Sequence, residues 1–426
     1  MVRADGSRRT DVSVRRAGDK ETRRARYTVL GIAGLALLFK VLMAFRTWGS
    51  GDISHWTDFS NGVREAGPIG VYGLTWPGSF YNHPPVIGYL LELVNGLEHL
   101  GLPLRATIRI VSSLADVATS LIIFELLRRR GTVRLAMWSG LLVGVSPVLF
   151  TVSGFHGNTD PVFTMLTMLS LLLLTDRDRP ALAGIAMGLA VGVKIVPVVA
   201  VPALLVYAAM TGRRTFVRYV AGLGATFVIT WGPALALQGK NVIKDVVGYN
   251  GSSLRQWGLV QIGHWFGDPW WSEFLIGPGR FLVLVLCCGL PAYFVWRRPS
   301  VVAPAVGLSL VAFLMLSPAF GVQYTVWPVA GAYLIGFGSA TFYNLSAGWM
   351  TFAIYNAWNG GLPWYRGHSL KYSDNQVAIG LLAWVALVLL CVEGLRTLTG
   401  RLRTPADGPP AVTFLPRPSK AARRRT

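Results

Sequence analysis

The chain has 426 residues, of which 52% are hydrophobic and 14% charged, and its formal net charge is +20. The mean hydropathy of +0.47 is higher than a water-soluble core of this size requires, which excludes a soluble enzyme and indicates an integral membrane protein. Much of the excess positive charge lies in two tails, 1–27 and 396–426. Such tails suit contact with anionic lipid headgroups rather than nucleic-acid binding.

Apolar runs of about 17 to 25 residues predict an all-α polytopic membrane protein with about twelve transmembrane helices. In chain order the predicted spans are 28–46, 104–127, 135–153, 160–175, 181–196, 198–211, 218–237, 273–296, 301–317, 323–341, 344–358 and 376–395. They form one transmembrane domain over 28–395, with a long first loop at 47–103 and a second at 238–272. The first span follows basic residues but lacks a small-residue cleavage pattern, so we interpret it as uncleaved.

Loop charges orient these spans. With the N-terminus in the cytoplasm, the basic joints RRRGTVR (128–134), TGRRTFVR (211–218) and WRRPS (296–300) become cytoplasmic, as does the C-terminal tail. Both long loops then face outward. The apolar segment 84–103 carries two glutamates and a histidine, and it is predicted to be a helix lying in the outer interface. A bacterial plasma membrane is favoured, although an endoplasmic reticulum membrane would give the same pattern.

This topology places most polar side chains that adjoin the apolar runs on the outer side. They are Asp52, His55, Asp58, His83, His156, Asp160, Lys194, Gln323 and Tyr324. Their motifs have purely structural alternatives: Asp52 as a helix N-cap, Asp160 or Thr159 as the cap of the next span, YNHPP (81–85) as an aromatic belt residue followed by proline helix initiation, and Lys194 as a snorkelling side chain. Gln323 and Tyr324 in SPAFGVQY (317–324) would then only satisfy a broken helix entry.

Three ionisable residues lie deeper in the predicted spans, namely Lys40, Arg109 and Asp116. Charged groups at membrane depth are costly and are normally functional or paired. We favour the paired interpretation, in which Asp116 neutralises Lys40 or Arg109. The three cysteines lie in apolar runs and imply neither a disulfide framework nor a metal site.

Five motifs resemble those of the GT-C type of polyprenyl-phosphate-dependent membrane glycosyltransferases. Asp52 in SGDISHW matches that family's first-loop catalytic acid, and YNHPPVIGYL resembles its YPPL-type motif. The other three are LRATIRIVSSLADVATSLIIFELLRRR, SGFHGNTDPVF and the lysine-bearing AVGVKIVPVVAVPALL. The DxD that some members use to help bind a metal is missing from the first loop.

The resemblance implies an inverting hexosyl- or pentosyltransferase that uses a polyprenyl-phosphate sugar and a glycan, lipid or protein acceptor. In the expected mechanism Asp52 is the general base, its pKa raised by partial desolvation, and His55 is a neighbour that orients it. The candidates to receive the donor phosphate are Lys194, Arg109, Arg105, His83 and Arg255. Those for sugar or acceptor binding are Tyr81, His156, Asp160, Gln323, Tyr324 and Trp257, with an interface belt as the alternative for the loop tryptophans.

Because these cations are side chains, the site does not require a metal cofactor, and a divalent metal stays an open alternative. Two competing classes stay open. A multi-span lipid or sugar transporter would also show intramembrane charges, but the halves of the chain show no convincing repeat. A glycan polymerase or ligase would normally carry a much larger outer loop or a soluble domain.

Overall fold

The computed structural model describes residues 6–76, 80–249, 251 and 255–400. Within these ranges the chain is helical, and the one β-type contact is an isolated bridge between Gly49 and Arg366. The all-α prediction is therefore confirmed. Residues 1–5 and 401–426, which belong to the predicted basic tails, lie outside the described residues.

The first part of the chain forms one long helix, two loop helices and then a series of packed helices. In order these are α1 (Gly6–Arg46), α2 (Asp52–Gly70), α3 (Pro85–Glu98), α4 (Leu104–Leu127), α5 (Val133–Gly144), α6 (Pro147–Thr151), α7 (Asp160–Thr175), α8 (Pro180–Val193), α9 (Val201–Thr211) and α10 (Arg213–Val242). A π-helical turn, Val152–His156, joins α6 to the start of the next segment.

The second part adds seven helices in the described residues. They are α11 (Gly258–Trp265), α12 (Pro269–Ile276), α13 (Gly279–Arg297), α14 (Val302–Leu316), α15 (Val326–Ala332), α16 (Phe337–Trp358) and α17 (Asp374–Leu398). Short 3-10 turns, Val196–Ala200 and Val322–Thr325, precede α9 and α15.

Seven helices in the described part of the chain are long and apolar enough to cross a membrane. They are Gly18–Arg46, Leu104–Leu127, Val133–His156, Arg213–Val247, Gly279–Arg297, Pro299–Leu316 and Asp374–Leu398. Three shorter apolar helices cover Asp160–Thr175, Pro180–Val193 and Val196–Thr211. A multi-pass membrane protein is thus confirmed, and the count of about twelve spans stays a prediction.

Two predicted spans, 104–127 and 160–175, coincide with α4 and α7. The predicted continuous span 323–341 is wrong, because α15 has only seven residues and a turn separates it from α16. The break lies beside a very close helix contact: a Cβ on Gly307 would lie 2.3 Å from the carbonyl oxygen of Gly331. Hydropathy registers the apolar character of this segment but not the turn that interrupts it.

The central and peripheral helices differ in burial. In the most apolar 18-residue stretch of the spans that contain α4 and α14, 67% of the residues are buried inside the protein, against 28% in those that contain α1 and α10. Large apolar side chains on the outer helices are exposed, such as Leu38 on α1 and Ile229 on α10. An apolar surface of this kind suits contact with lipid chains.

The loop helices α2 and α3 pack against each other as a pair. Pro84 precedes α3 and Pro85 occupies its first turn, which confirms the prediction of a proline-initiated helix. The carbonyl oxygen of Ser60 on α2 accepts a hydrogen bond from the Asn95 amide on α3 at 3.2 Å. The helix α3 is not among the described helices that are long and apolar enough to cross a membrane. A helix that lies in the interface does not need that length.

Contacts between α1 and α4 define two ends of the bundle. Arg26 forms an ion pair with Glu125 at one end, and Trp48 lies under the guanidinium of Arg105 at the other. Positions 105 and 125 of one helix are about 30 Å apart at 1.5 Å per residue. The basic joint after α4 lies at the Glu125 end, where Arg130 pairs with Asp176 at 2.7 Å.

Candidate active site

The carboxylate of Asp52 and the imidazole of His156 form a close pair. The His156 Nε2 and Asp52 Oδ2 atoms are 2.8 Å apart, although the two residues are 104 positions apart in the chain. His156 is buried, whereas a third of the Asp52 side chain is exposed. Asp52 begins α2 but forms no side-chain cap. The interpretation of Asp52 as an N-cap is therefore wrong, and its carboxylate is directed to a distant partner instead.

Backbone contacts hold the two loops of this pair together. The Ser50 hydroxyl donates to the carbonyl oxygen of His156, and the Trp56 indole donates to that of Gly157, both at 2.8 Å. His156 ends the π-helical turn, and Gly157 follows in a left-handed conformation with φ +81°. Glycine suits this position, since φ is positive and a Cβ would lie 2.4 Å from the end of the buried Ile53 side chain, which would have to move. Turns of the π type are frequent at functional sites.

The surroundings of Asp52 keep it ionised. Burial acts to raise the pKa of Asp52, but the adjacent His156 imidazole, assisted by the charges of His55 and Lys194, lowers it below its ordinary value of 3.8. The expectation that desolvation would raise this pKa is wrong, because the paired imidazole outweighs burial. Asp52 is thus a carboxylate throughout the neutral range.

A second pair joins α7 to the end of α8. The ammonium of Lys194 lies 2.6 Å from Oδ1 of Asp160, and the indole of Trp327 donates to Oδ2 at 2.6 Å. The Lys194 ammonium also lies 4.8 Å from the ring centre of Tyr324 and 5.4 Å from that of Trp327. The Asp160 side chain is 1% exposed and that of Lys194 is 19% exposed, so the lysine is the member of this pair that an incoming group can reach.

Asp160 has no capping role either. The N-cap of α7 is Thr159, which forms no side-chain cap. The Asp160 backbone N–H donates instead to the Asn158 side chain at 2.7 Å, and the Ser112 hydroxyl of α4 holds the Asn158 carbonyl. Snorkelling likewise does not describe Lys194, since its ammonium is bound by a carboxylate and two aromatic rings.

The two pairs belong to one electrostatic cluster. The charge of Lys194 contributes to the lowered pKa of Asp52, and both Asp52 and Asp160 act on the hydroxyl of Tyr249. Tyr249 is 39% exposed and interacts with the side chains of Tyr324 and Asn82. Tyr249, which belongs to the second long loop, is therefore part of the same cluster.

His83 and His55 lie beside the cluster with roles that differ from those predicted. Burial, together with the charge of Lys194, lowers the pKa of His83 to about 3, so it is neutral and not a cation for phosphate. Its ring stacks on Trp56 at 4.6 Å. His55 is exposed and stacks on Phe59 at 6.4 Å. His156, not His55, forms the hydrogen bond to Asp52.

Arg109 is a structural residue, which corrects its prediction as a phosphate ligand. Its guanidinium is buried and donates to the backbone carbonyl oxygens of Ala44, Thr47, Gly154 and Arg105 and to the Thr47 hydroxyl. These bonds engage all three nitrogens, so the group ties the end of α1 to α4.

The buried charges Lys40 and Asp116 form an ion pair at 2.7 Å, with side chains 1% and 2% exposed. The paired interpretation of the intramembrane charges is therefore confirmed, with Lys40 rather than Arg109 as the partner of Asp116.

The remaining candidate cations lie apart from Lys194. The guanidinium of Arg105 lies 5.6 Å from the ring centre of Trp48. Within the described residues, no hydrogen bond or ion pair joins Arg255 to the cluster.

The predicted sugar-binding aromatics are more buried than expected. Tyr81 is 1% exposed and packs edge-on against Phe59 at 5.2 Å. Trp257 is 2% exposed and stacks flat on Phe320 at 4.1 Å. Trp257 is thus packed in the protein interior and does not belong to an interface belt.

Gln323 and Tyr324 lie in the 3-10 turn before α15. Gln323 is partly exposed, whereas Tyr324 is 5% exposed and stacks on Trp327 at 4.4 Å. Tyr324 therefore belongs to the floor on which the Lys194 ammonium rests.

Two residues of the site were not predicted. Trp327 donates to Asp160, and Tyr355 packs its ring 5.5 Å from that of His156. Both lie in apolar segments, where an aromatic residue gives no signal that separates site from core. Among the described residues, no group of three or more His, Cys, Asp or Glu side chains is placed to hold a metal ion.

Comparisons with known proteins relate this chain to membrane glycosyltransferases. Residues 82–234 match the family described as dolichyl-phosphate-mannose-protein mannosyltransferase. The matched segment includes His156, Asp160 and Lys194 and ends well short of the C-terminus. Asp52 precedes it.

Two curated relatives are both named GPI mannosyltransferase 1. The protein from Candida albicans is 32% identical over 132 residues, which is 30% of this chain and 31% of the relative. That from Debaryomyces hansenii is 28% identical over 128 residues, covering 28% and 30%. This chain therefore aligns with about a third of either relative's length.

Among solved structures, the fold resembles that of ArnT from Cupriavidus metallidurans bound to undecaprenyl phosphate. The TM-score is 0.50 at 13% sequence identity, covering 88% of this chain and 78% of that one. The resemblance to the GT-C type is thereby confirmed at the level of fold.

Proposed function

We propose that this protein is an inverting glycosyltransferase that moves a sugar from a polyprenyl-phosphate donor to an acceptor hydroxyl, with Asp52 as general base. The observation that carries the proposal is the Asp52–His156 pair, in which a partly exposed carboxylate is held by a buried imidazole at 2.8 Å. The Lys194–Asp160 pair of the same cluster adds a cation for the phosphate.

The chemistry requires one proton transfer and one displacement. The acceptor oxygen attacks the anomeric carbon, the bond from that carbon to the phosphate oxygen breaks, and Asp52 accepts the hydroxyl proton. A carboxylate of low pKa is a weak base toward a free alcohol, but the hydroxyl becomes acidic as its bond to carbon forms. Attack opposite the leaving group inverts the anomeric configuration.

His156 acts on this step by positioning Asp52. Its buried ring is fixed on one side by Tyr355 and hydrogen-bonded on the other to one carboxylate oxygen. The other oxygen of Asp52 accepts no hydrogen bond from the described residues and a third of the side chain is exposed, so we assign this oxygen to the acceptor hydroxyl. A base held in one orientation avoids the cost of ordering it during reaction.

Lys194 is the residue we assign to the departing phosphate. Charge-assisted hydrogen bonds from an ammonium are among the stronger contacts available to a phosphate. Asp160 and Trp327 hold the lysine in place, while Tyr324 supports it from below. His83 and Tyr249 add neutral groups around the same opening.

Orientation and substrate follow from loop charge and from the comparisons. We infer that both termini are cytoplasmic and that the site faces outward, because the Arg130–Asp176 pair belongs to the basic joints at the opposite end of the bundle. Mannose is the first sugar to test, since the matched family and both curated relatives carry mannosyltransferase names. Undecaprenyl phosphate, bound in the ArnT structure, suggests the carrier.

The test is transfer by the purified chain in proteoliposomes, supplied with polyprenyl-phosphate mannose, glucose or arabinose labelled at the anomeric carbon and with a total membrane lipid and glycan extract. We expect one donor to yield a labelled product whose anomeric configuration, measured by NMR coupling, is opposite to that of the donor. Retained configuration would exclude the mechanism. Vesicle counterflow of a donor or sugar without transfer would support the transporter alternative instead.

A further inference from the structure

A cavity lies against α2, on a different face from Asp52. Its volume is about 180 Å³, far more than the ~10–15 Å³ that one water needs. The cavity is lined by side chains at one-turn spacings along α2, namely Ile53, Thr57, Asn61 and Arg64. Trp48 and Arg105 also line it. Asp52, by contrast, shares its helix face with Trp56 and Phe59, which pack toward His83.

Two buried donors in the wall of this cavity have no partner within the described residues. They are the indole Nε1 of Trp48 and the Nε of Arg105. Buried polar groups normally have a hydrogen-bond partner, and both residues border the same cavity, so an acceptor bound there would lie close to two unpaired donors.

The charge of Arg105 is also uncompensated in the described part of the chain. Its guanidinium lies 5.6 Å from the centre of the Trp48 ring, and that of Arg366 lies 4.9 Å from the same ring. No carboxylate pairs with either arginine among the described ion pairs, whereas Arg64 in the same cavity is neutralised by Glu98. A negatively charged acceptor in the cavity would therefore balance the charge of Arg105, which lines it.

We propose that this cavity binds an oxyanion, a phosphate or carboxylate, carried by the acceptor. Arginine and an indole N–H together present several donors to the oxygens of such a group. Asp52 and Ile53 are consecutive on α2, so they are separated by about 100° around the helix axis and by about 1.5 Å along it. The base therefore lies next to a residue that lines the cavity. An acceptor anchored by its anion in the cavity can thus reach Asp52 with a hydroxyl a few ångströms away.

The segment that carries Arg366 closes one side of this arrangement. The backbone N–H groups of Trp48 and Gly49 donate to the Tyr365 carbonyl at 2.7 and 3.1 Å, and the Gly367 N–H donates to the Gly49 carbonyl at 2.9 Å. These bonds hold Arg366 over Trp48 from a part of the chain far from the first loop. The identification of the ligand as the acceptor rests on the proposed function, but oxyanion binding does not.

Binding is measured with the delipidated full chain in a non-ionic detergent, by native mass spectrometry with three probes: phosphatidylglycerol, inorganic phosphate and polyprenyl phosphate. For Arg105→Gln we expect phosphatidylglycerol binding to weaken about ten-fold or more, since a charged hydrogen bond is lost. Trp48→Phe, which keeps the ring and removes the donor, should weaken it by a smaller factor. Arg46→Gln, an exposed arginine at the end of α1, should change it less than about two-fold.

The other outcomes decide against the proposal. The proposal is overturned if the Arg105→Gln variant elutes as folded protein and binds phosphatidylglycerol as tightly as the parent, since the cavity would then hold water only. Equal weakening of polyprenyl phosphate would place Arg105 in the donor site. Inorganic phosphate binding as tightly as the lipid would exclude a lipid-borne oxyanion. Because these are binding measurements, they stand even if no transfer is observed, so the two proposals fail separately.

Discussion

Replacing Lys194 by alanine should destabilise the folded protein by about 3–5 kcal/mol, because it leaves a buried carboxylate without its cation. Asp160 is 1% exposed, and its two oxygens are held by Lys194 and Trp327, each at 2.6 Å. After the substitution only the indole remains. The contacts of the ammonium with the rings of Tyr324 and Trp327, worth about 0.5–2 kcal/mol each, are lost as well.

A double-mutant cycle separates this cost from any loss of donor binding. Asp160→Asn alone should cost less, about 1.5–3 kcal/mol, because Lys194 is 19% exposed and its ammonium can turn toward water. The double variant Lys194→Ala with Asp160→Asn should be more stable than Lys194→Ala alone, since no unpaired charge stays buried.

The assay is reversible unfolding in mixed detergent micelles, followed by tryptophan fluorescence, with Lys240→Ala as the control. Lys240 is exposed near the end of α10, and its removal should change the free energy of unfolding by less than about 0.5 kcal/mol. If Lys194→Ala is as stable as Lys240→Ala, the buried-pair account is wrong. Donor affinity is then measured on the double variant, in which loss of binding reports on the lysine and not on misfolding.

Two further predictions concern the Asp52–His156 pair. His156→Ala should slow transfer by about ten- to a hundred-fold. Burial raises the pKa of Asp52 and His156 lowers it, so the loss of His156 should also move the acid limb of the pH–rate profile to higher pH. An unmoved limb would contradict the pairing. In the parent protein, folding lowers the pKa of Asp52. The stability that the pair contributes is therefore present above the ordinary pKa of 3.8 and is lost only as the pH falls below it. The measurement is the free energy of unfolding of the parent and of Asp52→Asn, compared as the pH is lowered. Gly157→Ala should cost about 1–3 kcal/mol and reduce transfer, since φ is +81° and a Cβ would meet Ile53 at 2.4 Å. Gly224→Ala, where nothing lies within 4 Å of the added Cβ, is its control, and equal stability of the two variants would refute the reasoning.

The sequence predicts the helical architecture better than the side-chain contacts, and the side of the membrane that the site faces stays a prediction. Spans such as 104–127 are long apolar runs between charged or proline boundaries, so local composition determines their ends. The region 323–341 fails because apolar composition alone does not register the turn between α15 and α16.

Partner identity is likewise a property of the tertiary packing. Loop charge predicts that Asp52 and His156 lie on the same side, yet their hydrogen bond joins positions 104 residues apart. His55 is nearer in sequence, but it projects from α2 on an exposed face. The same limit applies to Arg109, whose sequence position suggests an available charge while its donors are all directed at the backbone and hydroxyl groups of its neighbours.

The central claim is that Asp52 accepts a proton during sugar transfer, and the initial rate of transfer from the donor that the parent uses tests it most directly. Asp52→Asn keeps the shape of the side chain and should lower the rate by about 10²–10⁴-fold while donor binding is retained. Asp58→Asn, an exposed position on the same helix, should transfer at the parental rate. Transfer at the parental rate by Asp52→Asn would contradict the account.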